Sequence, residues 1–367
     1  MGRPAMSGPA PDSPATQPIA AARFDLTLSE NPFPPLPSVL EAVDEALRQA
    51  NRYPEFLPHR LPALIADRLA LTPEQVVVGS GATGVAMQIM QTVSGPGRTM
   101  VMATPTFDGY PIMAATVGLE TVAVPLDSSG GQRLDEMTRV VDERTALIAV
   151  CRPHNPTGTV VPIAELKTFL FGVPRHIPVI LDEAYVEFLS GPESVDVGEL
   201  IRHYPNLIVL RTFSKAYGLA GLRIGYAFGA AELMARIRRR QLPFGIPDHA
   251  VAAVRACYAA PAELAARIAA ITAEREWLRT ALRRRGIAVP DSRANFLYLP
   301  GRDVHSTLAD VGIAAKGYPD GSARIAVGDP SADAAVARAF AGRTATVLTM
   351  CCAGRPDRSY SNGFRRH

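Results

Sequence analysis

The stretch Arg211-Thr212-Phe213-Ser214-Lys215-Ala216-Tyr217-Gly218-Leu219-Ala220-Gly221-Leu222-Arg223-Ile224-Gly225-Tyr226 links two apolar runs, Leu207 to Leu210 and Arg223 to Phe228, through a loop that carries one lysine. A lysine amine can condense with a carbonyl cofactor, while the neighbouring serine hydroxyl and an arginine in a Gly-rich segment grip a phosphate on the same molecule. The runs on either side belong to a longer series. Apolar runs at Gln75 to Val78, Thr99 to Ala103, Glu120 to Val124, Ala146 to Cys151 and Pro178 to Leu181 read as strands, and helical patterns lie at Ser38 to Gln49 and His59 to Leu69. Strands alternating with helices argue for an α/β fold with a mainly parallel sheet. From Pro261 a long Ala/Arg/Glu helix runs to about Arg285, and Asn295 to Leu299 and Ser322 to Val327 follow as strands of a smaller α+β domain.

Size and composition set the outer limits. The chain has 367 residues, 47 % hydrophobic content and a net charge of only +3, enough for a large core and two or three domains. The basic clusters Arg236 to Arg240 and Arg283 to Arg285 lie in helical stretches and read as solvated faces, so no nucleic-acid partner is expected. Cys151, Cys257, Cys351 and Cys352 form no C-x-x-C pair and no disulfide framework, which fits a reducing, cytoplasmic compartment. Met1 to Ala22 is rich in Pro, Ala and Ser without a continuous apolar core, so it reads as neither signal peptide nor membrane span. The scattered histidines show no metal-ligand spacing, and no metal is expected.

Gly79-Ser80-Gly81-Ala82-Thr83-Gly84 follows a strand and opens an apolar helix, the context of a dinucleotide-binding loop. Such a site also needs an acidic residue at the end of the next strand to bond the ribose. Here that strand ends in Thr104-Pro105, with Asp108 beyond the turn. The loop suits a single phosphate better, because glycines let backbone N–H groups approach and the helix N-terminus carries partial positive charge. Asp182 ends the run Pro178-Val179-Ile180-Leu181 and would emerge at the C-terminal edge of a parallel sheet, where open α/β folds hold ligands. Alone, Asp182 also reads as a helix cap, Asn155-Pro156 as a turn and Tyr185 as core. Together they fall in one order around the lysine.

That order resembles fold-type I pyridoxal-phosphate-dependent aminotransferases, in particular the histidinol-phosphate aminotransferase branch, over roughly Leu28 to Pro330. The resemblance implies pyridoxal 5′-phosphate as cofactor, with Lys215, Asp182 and Tyr185 as catalytic residues. Lys215 would attach the cofactor and move the substrate proton, Asp182 would keep the ring nitrogen protonated, and Tyr185 with Asn155 of Asn155-Pro156-Thr157-Gly158 would bond the phenolic oxygen. Phe107 would stack on the ring. Ala82, Thr83, Thr212, Ser214 and Arg223 would hold the phosphate, joined by Tyr53 from the partner subunit of a homodimer. Arg324 would clamp the substrate carboxylate, with Lys316 and Asn31 also at the substrate.

The same resemblance divides the chain into a flexible arm over 1–27, an N-terminal part of the small domain over 28–50, a large cofactor-binding domain over 51–260 and a small C-terminal domain over 261–342. Residues 343–367, without helical period, read as a disordered tail.

Three departures bear on substrate. Lys316 stands where the family has an arginine, Cys151-Arg152-Pro153-His154 precedes Asn155 in place of an Asn-rich turn, and the segment before Asn31-Pro32 lacks the family's aromatic-Gly motif. Arg152 and His154 are thus expected to bring cationic or titratable groups near the pocket. The activity implied is transfer of an amino group from an amino acid or histidinol phosphate to a 2-oxo acid such as 2-oxoglutarate, in amino-acid biosynthesis. Aromatic donors remain open, as do a decarboxylase of the threonine-phosphate type and a specialised biosynthetic enzyme.

Overall fold

The computed structural model describes residues 23–342. The readings of an arm before Arg23 and of a tail after Gly342 lie outside the described residues.

The chain opens with β1 (Phe24–Asp25), α1 (Pro37–Leu47) and α2 (Arg60–Leu69). There follow β2 (Val76–Ser80), α3 (Gly81–Val93), β3 (Thr99–Thr104), α4 (Gly109–Thr116), β4 (Glu120–Pro125), α5 (Leu134–Arg139) and β5 (Thr145–Cys151). The alternation continues through α6 (Ile163–Gly172), β6 (Val179–Asp182), α7 (Val197–His203), β7 (Leu207–Thr212), β8 (Ile224–Gly229), α8 (Ala231–Arg238) and α9 (Asp248–Ala259). Seven of these strands form one sheet in the order β2-β8-β7-β6-β5-β3-β4, parallel throughout except for β8, which runs antiparallel to both neighbours.

Why the strands read as unbroken apolar runs is clear from their two faces. Val76, Val78, Ile148, Val150, Val179, Leu181, Leu207 and Val209 enter one core layer. Their neighbours Val77, Leu147, Ala149, Ile180, Ile208 and Leu210 enter the other. A sheet with helices on both faces buries both sets. Its ligand edge is then the C-terminal one, where Ser80, Thr104, Cys151, Asp182 and Thr212 end their strands. The expected strand at Arg223 begins one residue later, because Arg223 adopts a left-handed backbone (φ +52°) that no strand accommodates.

The remaining elements are α10 (Pro261–Arg283), β9 (Phe296–Leu299), α11 (Val304–Asp310), β10 (Ile313–Ala314), β11 (Lys316–Gly317), β12 (Ala323–Ala326) and α12 (Pro330–Ala339). Proline opens α10, and Gly286 at φ +79° follows its end. Strands β11-β12-β9 form an antiparallel sheet, and β1 pairs in parallel with β10. Their apolar faces, with Leu278, Leu297, Leu299, Ile325 and Phe340, make a separate core.

The N-terminal segment departs from the expected division. Phe24 and Asp25, assigned to the arm, form β1, and Leu26 is buried in that separate core. Residues 28–50 were assigned to the small domain, yet Leu36 and Val39 of this segment insert into the main core beside Ala250, Val251 and Val254 of α9. The apolar stripe of α1 packs on α9, so the crossing between the two cores falls between Leu26 and Leu36. A fourth cluster is formed by Tyr185, Ala216, Ile271, Ala294, Phe296 and Val327, with Ala216 next to Lys215 in the chain.

Candidate active site

A cavity of about 570 Å³ opens at the C-terminal edge of the sheet. Its wall includes Ala82, Thr83, Phe107, Asn155, Asp182, Tyr185, Thr212, Ser214, Lys215, Arg223, Lys316 and Arg324. Residues expected at one site from six separate stretches of sequence are therefore brought together. Asn31 is not among them, and Tyr53, expected from a partner subunit, lies outside this chain's own cavity.

One end of the cavity is built for an anion. Helix α3 begins at Gly81 without a side-chain cap from Ser80, so the N–H groups of Ala82 and Thr83 have no partner within the helix. Gly81 has φ +72°, and a Cβ there would lie 2.3 Å from Arg223 Nη2. Only glycine lets that guanidinium approach the helix start. Arg223 is held by Nη1 donating to the Ala220 carbonyl at 2.8 Å, and its own carbonyl accepts from Gly81 N–H at 2.9 Å. Thr212 Oγ1 donates to Ser214 Oγ at 2.9 Å and accepts from Ser214 N–H at 3.1 Å, completing the cradle. The donor set fits a phosphate.

At the floor, Asp182 ends β6. Its Oδ2 accepts from Tyr110 O–H at 2.7 Å and its Oδ1 from Ala184 N–H at 3.0 Å. Burial pushes its carboxyl above the ordinary range, while these hydrogen bonds and Lys215 pull it back. A cationic ring N–H placed against Asp182 would offset that burial, so the residues present fit pyridoxal phosphate at this end too. The adjacent carboxylate, Glu183, is neutralised separately by a forked pair with Arg211, whose Nε and Nη2 lie 2.9 and 2.8 Å from Oε2.

Lys215 extends from the loop after β7, where Nζ donates to the carbonyls of Leu28 and Ser29, both at 3.1 Å. Burial pulls its pKa down to about 8, with Arg324 adding to the effect and Glu30 and Asp182 opposing it. Between about 8 and the ordinary value of 10.5 the unfolded chain holds a proton that the folded chain has released, so stability rises with pH; below about 8 the full cost of the buried charge is present. The cofactor-free protein should thus gain stability relative to its Lys215→Ala variant as pH climbs through that window. Denaturant midpoints at fixed protein concentration measure this, and a constant difference would mean that Lys215 titrates normally.

Arg324, on β12, donates through Nη1 to Asn155 Oδ1 at 2.6 Å and through Nη2 to the Thr27 carbonyl at 2.7 Å. Its buried Nε has no hydrogen-bond partner. A guanidinium left incomplete in this way is suited to accept a carboxylate.

The other expected residues sit elsewhere. Tyr53 is 83 % exposed and packs on Phe244 at 4.8 Å, outside this chain's own cavity. Asn31, expected at the substrate, donates Nδ2 to the carbonyls of Lys215 and Ala216 and accepts from Phe33 N–H. Its polar atoms are engaged by backbone, and it braces the lysine loop from behind. Arg152 and His154 do not bring charge to the pocket. Past β5 the residues alternate, so Cys151, Pro153 and Asn155 line the cavity while the side chains between them turn away. Arg152 donates to the carbonyls of Val161 and Glu193, and His154 bonds Thr157 Oγ1 with its pKa pushed down to about 3 by burial. That period of two was a usable signal. Tyr110 was missed, although it lies one helical turn beyond Phe107; Asp108 was noted only as an unsuitable ribose acid.

Comparison with known proteins agrees with this geometry. The family model for aminotransferase class I and II matches residues 23–339. An aromatic amino acid aminotransferase of Streptomyces avermitilis is 40 % identical over 324 residues, covering 86 % of this chain and 90 % of that protein. One from Streptomyces coelicolor is 40 % identical over 331 residues, covering 89 % and 91 %. Among solved structures, histidinol-phosphate aminotransferase from Sinorhizobium meliloti, in complex with pyridoxal-5′-phosphate, superposes with a TM-score of 0.80 at 27 % identity, covering 87 % of this chain and 90 % of that one. With its family model spanning both cores and its lysine, carboxylate and arginine converging on one cavity, the chain belongs to the class I and II aminotransferases and is a pyridoxal-phosphate-dependent enzyme of fold type I.

Proposed function

We propose that this aminotransferase exchanges an amino group between an aromatic L-amino acid and a 2-oxo acid such as 2-oxoglutarate. The observation that carries the reading is the convergence of Lys215 Nζ, the buried Asp182 carboxylate and the incomplete Arg324 guanidinium on one cavity whose wall also offers Leu28, Ala86, Phe107 and Leu210. Relatives named for aromatic substrates, at 40 % identity over most of both chains, support the aromatic choice.

Pyridoxal phosphate, when bound, supplies an electron sink for the negative charge that develops at the substrate Cα. Arg223, Thr212, Ser214 and the first N–H groups of α3 would hold its phosphate. Asp182, oriented by Tyr110, would keep a proton on the ring nitrogen, and Asn155 and Tyr185 would face the phenolic oxygen. Phe107 would cover the ring. Lys215 would move the proton between the substrate Cα and the cofactor carbon C4′, a task served by an amine whose pKa sits near 8. Arg324 would exchange its contacts with Thr27 and Asn155 for the substrate carboxylate. Asn31 would position the lysine loop.

We also infer a homodimer. Tyr53, Phe56, Leu242 and Phe244 form an exposed apolar face next to the turn that precedes α2. A patch of this kind marks an interface, and a second copy would cover it and deliver Tyr53 to the neighbouring phosphate. Sedimentation should give the mass of two chains, with Tyr53→Asp shifting it toward one; an active monomer would remove the shared site. Free, buried thiols at Cys151 and Cys257 support a reducing cytoplasmic setting. No helix among the described residues is long and apolar enough to cross a membrane.

The function is tested by offering phenylalanine, tyrosine, histidinol phosphate and aspartate as donors to the holoenzyme with 2-oxoglutarate. Aromatic donors should give the highest kcat/KM. Preference for histidinol phosphate by about tenfold or more, roughly 1.4 kcal/mol, would overturn the aromatic assignment.

A further inference from the structure

The cavity wall carries four cationic side chains, Lys215, Arg223, Lys316 and Arg324, and three carboxylates, Glu30, Asp108 and Asp182. In the function proposed above, Arg223, Lys215 and Arg324 each have a partner in cofactor or substrate, and Asp182 faces the ring. Lys316 is the remaining cation. Its Nζ lies 2.8 Å from Asp108 Oδ2, an ion pair that spans the cavity from β11 to the loop after β3.

Both partners are placed by local structure. Lys316 stands directly opposite Arg324 in the antiparallel register of β11 and β12, so the two cations share one face of the sheet and repel each other. Asp108 approaches from the opposite wall. It follows Phe107, whose ring folds over Gly109 so closely that a Cβ there would lie 2.4 Å from it. The pair is half-exposed, 36 % for Lys316 and 57 % for Asp108, and pairs in such settings contribute little to fold stability. Its consequence falls on the ligand instead.

We propose that Asp108, by engaging Lys316, sets the side-chain preference of the cavity, so that it accepts an uncharged aromatic side chain and disfavours a phosphate dianion. The inference rests on the aminotransferase reading above. Lysine makes the device work. An ammonium is a point charge that one carboxylate compensates, whereas the planar fork of an arginine could bond Asp108 and still present donors to a substrate phosphate. Glu30, which also lines the cavity, adds a negative charge that a dianion would meet.

Two unreactive carboxylates test this with the holoenzyme by calorimetry: 3-phenylpropionate, which ends in a ring, and 3-phosphonopropionate, which ends in a dianion. Asp108→Asn should shift the ratio of their affinities toward the phosphonate by about fivefold or more, and Asp108→Glu, which keeps the charge, by less than about twofold. The kcat/KM ratio of histidinol phosphate to phenylalanine should move in the same direction as the affinities. In a Lys316→Met background the Asp108→Asn shift should be smaller. An unchanged ratio in Asp108→Asn, an equal shift in Asp108→Glu, or an undiminished shift without Lys316 would overturn the proposal. Failure of the wild-type holoenzyme to transfer an amino group from phenylalanine would instead overturn the function on which it rests.

Discussion

Replacing Lys215 with alanine should cut kcat by about 10³-fold or more, because it removes both the proposed covalent attachment point and the amine proposed to move the Cα proton. Binding of pyridoxal phosphate should survive. The phosphate cradle of Gly81, Thr212, Ser214 and Arg223 is assembled by backbone and side chains that do not involve the lysine amine. The Asp182 carboxylate is likewise oriented by Tyr110 and Ala184. The cofactor should therefore co-purify or be taken up noncovalently, and borohydride should no longer fix it to the chain. Wild-type turnover in this variant would remove Lys215 from the mechanism.

Arg324→Ala should lower kcat/KM by about 2–5 kcal/mol, a loss of roughly 30-fold to several thousandfold, as expected for truncating one side of a charge-assisted bidentate pair. The glutamate half-reaction should suffer at least as much as the phenylalanine half-reaction, because both present a carboxylate to the same guanidinium. Part of the loss will come from Asn155, whose Oδ1 accepts from Arg324. Arg324→Lys separates the contributions. It keeps the charge but not the fork, and it should recover only a minor part of the activity. Equal activity of Arg324→Ala and wild type on both amino acids would place the carboxylate elsewhere.

The parts of the site that could be read along the sequence are those whose chemistry is local. Lys215 beside Ser214, Asp182 at the end of an apolar strand, and the glycine loop before α3 each combine a reactive group with the element that presents it. The strands were legible because both faces of the sheet are buried, which leaves unbroken apolar runs; their ends shifted by a residue or two, as at Arg223, where a left-handed backbone delays the strand. Contacts between distant segments were not legible. Nothing near Tyr110 announces its bond to Asp182, and nothing near Asp108 announces Lys316. Adjacency misled at Arg152 and His154, where residues beside Asn155 in sequence turn to the opposite side of the chain. Asn31 misled differently: its segment does cross beside the cavity, but the amide is engaged by the backbone of the lysine loop.

Transfer of nitrogen is the central claim, and labelled nitrogen tests it most directly. The purified holoenzyme is incubated with ¹⁵N-phenylalanine and 2-oxoglutarate, and the products are identified by mass spectrometry. The account predicts ¹⁵N-glutamate and phenylpyruvate in equal amounts, with no carbon dioxide released and no product in the Lys215→Ala variant. Appearance of ¹⁵N-phenylethylamine with carbon dioxide, or recovery of all the label in phenylalanine, would contradict it.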